Sequence, residues 1–230
     1  MRLRRPWWIS WRKDVPLEGG GERVDINLAN GVPDYDSFDM YEKSHWRRYE
    51  FALEKLVGGG TSGDFACGTG YGSVLLAQRS SKVVGADLDG RVVAAASRRY
   101  RHVPNVSFLR RNLLDLNHKN TFDTIVSFET IEHFSPDEIP RLFATFASAS
   151  KPGAMLILST PYLQPPSPEA LSMGFHQTFS IDEERVETWF RDAGYSVLEF
   201  LCQNYESHDI VADMPDGRDF IIAVGQLQDA

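Results

Sequence analysis

Short apolar runs alternate along this chain with stretches whose apolar residues recur at helical spacing, a pattern that predicts a parallel α/β sheet with crossover helices. Asp64-Phe65-Ala66 enters a glycine turn, and Ser73 to Gln78 follows as a helix. Lys82 to Ala86 reads as a second buried strand and Gly90 to Tyr100 as a second helix. Val106 to Leu109 and Thr124 to Phe128 are the next two strands, the latter with its apolar residues run together as in strands covered on both faces. Ser135-Pro136-Asp137-Glu138 offers a serine cap, a proline for the first helical position and a glutamate able to reach back to a free amide. Ile139, Leu142, Phe143 and Phe146 then share one helical face, with Pro140 disturbing the first turn. Lys151-Pro152-Gly153 ends that helix, and Met155 to Leu158 is a fifth strand. Ser180 to Glu183 reads as another capping box, for a helix that runs to about Asp192 and stops at Gly194. Val197 to Leu201 and Phe220 to Val224 close the chain as an antiparallel pair.

Pro161 to Gln177 is proline-rich and too long for a plain connector; loops of this kind in compact domains are lids or binding loops. Tyr162, Phe175 and Trp189 offer aromatic surface on which a sugar ring can pack, with core or lid packing as the alternative.

Composition narrows the function classes. The chain's 230 residues suit one large domain, and 42% hydrophobic with 24% charged residues is ordinary globular usage. No apolar run approaches the length that crosses a bilayer. A net charge of −8 argues against a general nucleic-acid binder, so no nucleic acid is expected as partner and small or uncharged molecules are easier to accept. Cys67 and Cys202 have neither zinc-type nor C-x-x-C spacing, which makes a reducing cytoplasm the expected compartment. At the start, Arg2, Arg4, Arg5, Arg12 and Lys13 interleave with Trp7, Trp8, Ile9 and Trp11, too short an apolar stretch for a signal peptide. Such a segment suits either peripheral contact with the anionic inner face of a membrane or an ordinary tail packed on the domain.

The sharpest chemical signal is Ala66-Cys67-Gly68-Thr69-Gly70-Tyr71-Gly72, where a strand hands over to a helix. Glycines there let the backbone turn tightly and let a ligand lie against the main chain. Asp87 ends the next strand about twenty residues later, where a carboxylate can bind ribose hydroxyls; a helix cap is the alternative. Four segments, D-F-A-C-G-T-G-Y-G from Asp64, V-V-G-A-D-L-D from Val83, F-D-T-I-V-S-F-E-T-I-E-H from Phe122 and K-P-G-A from Lys151, together resemble the class I S-adenosylmethionine-dependent methyltransferases. The resemblance spans about Tyr41 to Gly225. It implies an α/β, Rossmann-like, seven-stranded mostly parallel sheet with an antiparallel last strand, helices on both faces and an N-terminal helical cap. The expected division is an N-terminal segment and cap helix over 1–55 and the methyltransferase domain over 56–230.

By the same resemblance, Gly68 and Gly70 approach the amino-acid portion of S-adenosylmethionine, Asp87 its ribose, and Asn112 with Leu113 its adenine; Asp64, Ala66, Leu88 and Glu129 complete the cofactor set. Two departures stand out. Gly58 to Gly63 occupies the place of an apolar first strand, and Asn112 stands where an aspartate is common. Met40 to Ala52 resembles the amino-terminal helix of a bacterial subgroup associated with glycan modification, which folds over the cofactor. That places Tyr49 and Arg48 in the pocket, with Arg48 able to pair with the cofactor carboxylate; the alternative is a surface helix packed through Trp46, Tyr49 and Leu53.

Methyl transfer to an alcohol needs the acceptor's proton removed, which points to Glu129, Glu132 and His133 after the fourth strand, at the sheet edge where ligands bind. His133 is the base that titrates near working pH. With His176, these residues also resemble the magnesium or manganese site of 2′-O-methyltransferases acting on RNA ends, in which an ion lowers the pKa of the acceptor hydroxyl. A loop-bracing role is the third reading of the cluster. The stretch from Gly31 to Ala52 resembles fucosyl 2-O-methyltransferases of rhizobial nodulation factors and mycobacterial glycolipids, so a deoxysugar hydroxyl is the expected acceptor. An NAD-dependent oxidoreductase and a non-catalytic cofactor-binding partner subunit are the rival classes.

Overall fold

The computed structural model describes residues 23–168, 171, 174 and 176–229. The tryptophan-rich start and Phe175 lie outside the described residues. Seven strands form one sheet in the order β3-β2-β1-β4-β5-β7-β6: β1 (Thr61–Phe65), β2 (Lys82–Asp87), β3 (Val106–Arg110), β4 (Phe122–Phe128), β5 (Ser150–Pro161), β6 (Tyr195–Gln203) and β7 (Phe220–Leu227). β1 to β5 pair in parallel, and β7 runs antiparallel between β5 and β6. Among the described residues the sheet is accompanied by α1 (Met40–Lys55), α2 (Tyr71–Leu76), α3 (Gly90–Arg99), α4 (Ile139–Ala149) and α5 (Glu183–Asp192).

Two apolar clusters lie on the sheet. One joins Leu142, Phe143 and Phe146 of α4 to Val186 and Phe190 of α5; the other joins Trp46, Tyr49 and Ala52 of α1 to Tyr71, Leu75 and Leu76 of α2. The central strand β1 is short and polar in sequence yet buried over four of its five residues. Its polar side chains are satisfied internally: Ser62 Oγ meets Ser80 Oγ at 2.7 Å, and Asp64 accepts from Tyr49 and Ser73. At Gly63 a Cβ would stand 2.9 Å from the Phe65 ring, so an apolar side chain at this position has no room.

Several boundaries differ from the sequence expectation. α4 begins at Ile139, with Glu138 as its N-cap residue and Pro140 in its first turn, so Ser135 and Pro136 lie in a preceding turn. Glu138 nevertheless reaches back to the Ser135 amide at 3.1 Å. α5 is capped by Asp182, whose carboxylate accepts from the Arg185 amide at 2.9 Å; Ser180 sits at φ +52 outside the helix. Trp189 stacks near Phe143 with ring centroids 6.1 Å apart and packs against the core, which favours core packing over an acceptor surface. Among the described residues no helix is long and apolar enough to cross a membrane.

Candidate active site

The order of the strands reverses between β1 and β4, and in open α/β sheets the crevice beyond the carboxyl ends at such a point holds the ligand. The residues that follow β1 turn sharply there: Ala66, Gly68 and Gly70 have φ of +60, +51 and +83. A Cβ on Gly68 would meet nothing within 4 Å, whereas one on Gly70 would stand 2.6 Å from Phe108. The Gly68 backbone is therefore bare toward open space, and Gly70 is held from behind.

Asp87, at the end of β2, joins this turn through Oδ2, which accepts from the Gly68 amide at 3.0 Å. Its Oδ1 accepts from the Asp89 amide at 2.8 Å and lies 3.5 Å from Arg23 Nη2. Asp89, rather than Asp87, caps α3. Leu88 beside it is 64% exposed, an apolar side chain left in the open at the crevice edge. Asn112 is exposed and its Oδ1 caps the turn at Leu114, 3.0 Å away, while Leu113 is buried.

The cap helix α1 closes the crevice from the other side. Asp39 and Glu42 form a capping box that fixes its start. Tyr49 donates to Asp64 at 3.0 Å and packs edge-on against Tyr71 and Phe128, so α1 is seated on the ends of β1 and β4. Asp64 is fully enclosed; loss of water pushes its carboxyl up to about 6 despite the hydrogen bonds from Ser73 and Tyr49.

Arg48 is 0% exposed, donates through Nε to Gln203 at 2.6 Å, lies 3.9 Å above the Phe220 ring and pairs with Glu129 Oε1 at 3.2 Å. Beyond that ion pair its two terminal nitrogens are buried without a hydrogen-bond partner. The surface-helix alternative put the helix's arginines in water; Arg48 is buried instead, while the packing through Trp46 and Tyr49 that it also foresaw is present. Glu129 is held at φ +48, a strained position for a side chain of this size, and also accepts from Ser159 Oγ at 2.8 Å.

Glu132, His133 and His176 converge, each offering a ligand atom within 4.8 Å of the others. The loop carrying His176 is stapled there: the Gln177 and Thr178 amides both donate to the Glu132 carbonyl, at 2.8 and 3.0 Å. Gln164 fixes His176 Nδ1 at 2.8 Å, and Thr160 donates to Glu132 Oε2 at 3.2 Å. Glu129 lies outside this trio, on Arg48, so the four-residue metal set expected from sequence separates into two groups.

One residue beside Asp87 was not singled out in the sequence. Arg23 stands beside Asp87, and nothing in its isolated, loop-borne sequence setting marks it.

The open main chain at Gly68, the acid at Asp87 and the buried guanidinium of Arg48 fit the amino-acid and ribose parts of S-adenosylmethionine. Residues 64–153 match the family described as a methyltransferase domain. A Mycolicibacterium smegmatis protein named a probable S-adenosylmethionine-dependent methyltransferase is 32% identical over 127 residues, 53% of this chain and 48% of that one. The chain thus spans about half the length of the curated relatives it matches. Among solved structures, the [4+2]-cyclase SpnF superposes with a TM-score of 0.67 at 17% identity, covering 86% of each chain. The N-methyltransferase NodS from Bradyrhizobium japonicum gives 0.63 at 15% identity, covering 84% of this chain and 99% of that one. These structural likenesses support the fold, residues 64–153 carry the match to the methyltransferase-domain family, and the relatives similar to this chain are ones named for dependence on S-adenosylmethionine.

Proposed function

We propose that this protein is an enzyme that moves the methyl group of S-adenosylmethionine to an oxygen of a small-molecule or glycan acceptor, and that the acceptor is a deoxysugar hydroxyl such as that of a fucosyl residue on a glycolipid. The observation that carries the transfer reading is the glycine turn after β1, bare at Gly68 and tied to Asp87 at the strand-order reversal; the buried pair of Arg48 with Glu129 after β4 supports it. When bound, the cofactor supplies an electrophilic methyl group, so the chain's task is alignment and removal of water. Gly68 and Gly70 offer bare backbone to the cofactor's amino-acid portion and Asp87 faces its ribose. Arg48 meets its carboxylate, and Tyr49 shuts the crevice by holding α1 to Asp64.

The trio of Glu132, His133 and His176 is assigned to the acceptor. Two imidazoles and a carboxylate, stapled together at the carboxyl edge beside Glu129, can grip a hydroxyl. The deoxysugar itself rests on the resemblance of Gly31 to Ala52, and the name of the NodS neighbour keeps amines in the acceptor panel. A cytoplasmic location, with the tryptophan-rich start against a membrane surface, belongs to the same proposal.

Titration calorimetry with S-adenosylhomocysteine and with NAD tests the cofactor, and labelled S-adenosylmethionine with fucosides, other sugars and amines tests the transfer. Binding of the homocysteine and transfer to a fucoside are expected. Preference for NAD refutes the transfer reading, and transfer confined to other acceptors refutes the deoxysugar. Replacing His133 by Ala is expected to cost about a hundredfold or more in turnover with unchanged cofactor affinity.

A second reading is favoured by the close approach of the trio: a divalent cation held by Glu132, His133 and His176 would bind the acceptor oxygen and lower its pKa. Manganese titration followed by electron paramagnetic resonance tests it directly. Loss of the bound signal in Glu132→Gln supports the metal, and turnover indifferent to chelator removes it.

A further inference from the structure

Charge is unevenly divided over this molecule. Between Arg79 and Lys119, the stretch that carries β2, α3 and β3, stand nine Lys or Arg and three Asp or Glu, in a chain whose net charge is −8. The connection from Asn204 to Asp219 carries five acids and one arginine. β3 is one edge of the sheet and β6, which leads into that acidic connection, is the other, so charge separates along the sheet. A field of this kind orients a molecule as it nears a charged surface.

The three acids of the basic stretch are already answered. Arg23 lies 3.5 Å from Asp87 and 3.4 Å from Asp89, Arg91 pairs with Asp89 at 3.4 Å, and Arg141 pairs with Asp115 at 2.7 Å. Arg98, Arg101, Arg110 and Arg111 are exposed and form no ion pair among the described residues. α3 buries Val92, Val93 and Ala96, which leaves Arg91 and Arg98, two turns apart, on its outer side. The stem of Arg110 lies against the first turn of α3, 2.8 Å from where a Cβ on Gly90 would stand, and its Nε donates to the Leu88 carbonyl at 3.3 Å. Leu88 therefore holds its open apolar side chain beside exposed arginines. His118 registers the field, since burial first, then the charges of Arg111 and Lys82, hold its imidazole below the ordinary value. The described residues begin at this same corner: Arg23 is preceded by a segment whose first thirteen residues hold five Arg or Lys, three Trp and no acid.

Basic residues beside tryptophan and leucine suit the headgroup layer of an anionic bilayer, where the charges meet phosphate and the apolar groups enter the acyl boundary. A nucleic acid fits less well, because its phosphate backbone offers an open leucine no burial. We infer that the β3 edge, through Arg98, Arg110 and Arg111 with Leu88, is the face that docks on an anionic phospholipid bilayer together with the N-terminal segment. The inference rests on the membrane part of the proposed function and adds the folded face to it. Docked this way, the acidic β6 edge points away from the lipid. Arg110 pairs in register with Asp87, which accepts from the Gly68 amide, so the cofactor crevice comes to the membrane surface, where a glycolipid acceptor is met.

The test uses the full chain in vesicle co-sedimentation. The parent is expected to sediment with phosphatidylcholine vesicles that contain phosphatidylglycerol and to stay in solution with pure phosphatidylcholine. Each arginine near an anionic surface changes binding about fivefold, so Arg98→Ser/Arg110→Ser/Arg111→Ser should lose roughly tenfold or more in affinity with its Tm near that of the parent. A matched variant, Arg47→Ser/Lys55→Ser/Arg191→Ser, removes the same charge on α1 and α5 and should bind as the parent does. In the parent itself, phenylglyoxal labelling read by peptide mass mapping should show Arg98, Arg110 and Arg111 shielded by the vesicles and Arg47 and Arg191 still reactive, a readout that does not depend on how a variant folds. Equal losses in the two variants, or no shielding, overturn the docking face. Displacement of the vesicles by a single-stranded RNA that shields the same arginines overturns the lipid assignment. A parent that ignores both kinds of vesicle overturns the membrane reading and the face with it. A triple variant that binds like the parent leaves that reading standing and overturns the face alone.

Discussion

Gly72 and Tyr49 show how one residue can couple the cofactor turn to its lid. A Cβ on Gly72 would lie within the Tyr49 ring, whose hydroxyl reaches past it to Asp64. Gly72→Ala should therefore destabilise the protein by about 1–3 kcal/mol through overpacking. In a Tyr49→Ala background the same change should cost far less, and additive losses in urea unfolding would show that the two do not share this space. Asp64 carries a pH signature. Its folded-state value of about 6 lies above the ordinary 3.8, so the folded state holds the proton more tightly than the unfolded chain does. No penalty exists below about pH 4; it grows as the unfolded chain ionises and reaches about 3 kcal/mol above pH 6, an order-of-magnitude figure. Unfolding free energies of the ligand-free parent should fall over that window relative to Asp64→Asn, and parallel curves for the two proteins would reject the assignment.

At the scale of elements, α1 is the piece that turns an open sheet edge into an enclosed site. Its start depends on Asp39, which accepts from the Tyr41 and Glu42 amides at 2.8 Å while Glu42 returns to the Asp39 amide at 2.9 Å. Asp39→Ala should cost about 1 kcal/mol, or a fall of about 2–4 °C in Tm for a chain of this size. Because Arg48 and Tyr49 ride on this helix, S-adenosylhomocysteine affinity should fall with it, and calorimetry that finds affinity unchanged would separate the helix from the site. The elements themselves were largely legible in the sequence, since alternation and glycine breaks mark β2, β4 and β7 directly. β5 was underestimated because Lys151, Pro152 and Gly153 look like a stop, yet they belong to its extended start, which pairs with β4 at Ser150. Asp182 lost to Ser180 as the expected cap because both precede the same acidic turn, and only the φ of +52 at Ser180 decides between them. At the site, Gly68, Asp87 and Tyr49 stand in a linear motif or on a helical face and could be read. The pairing of Arg48 with Glu129 and Gln203 joins residues far apart in sequence, and no local pattern announces it.

For the molecule as a whole, the crevice is where several independently anchored parts meet. The segment Arg23 to Leu28 is tied down by Tyr100, whose hydroxyl donates to the Ile26 carbonyl at 3.2 Å, and by the pairing of Arg99 with Asp25. From there Thr69 of the glycine turn donates to the Val24 carbonyl at 3.1 Å, and Arg23 extends to Asp87. A ligand bound between this strap, the turn and α1 contacts pieces from both sides of the β1–β4 switch point, and it gains nothing from the unfolded chain, where those pieces are apart. Binding must then appear as stability. At a hundred times its dissociation constant, S-adenosylhomocysteine should add about 2.7 kcal/mol, which raises Tm by about 5–10 °C. NAD at the same concentration should leave Tm unmoved, because its second nucleotide has no counterpart to the Arg48 and Tyr49 wall. Scanning fluorimetry with both ligands reads the difference, and an equal rise with NAD would mean that the crevice recognises only the adenosine half common to the two.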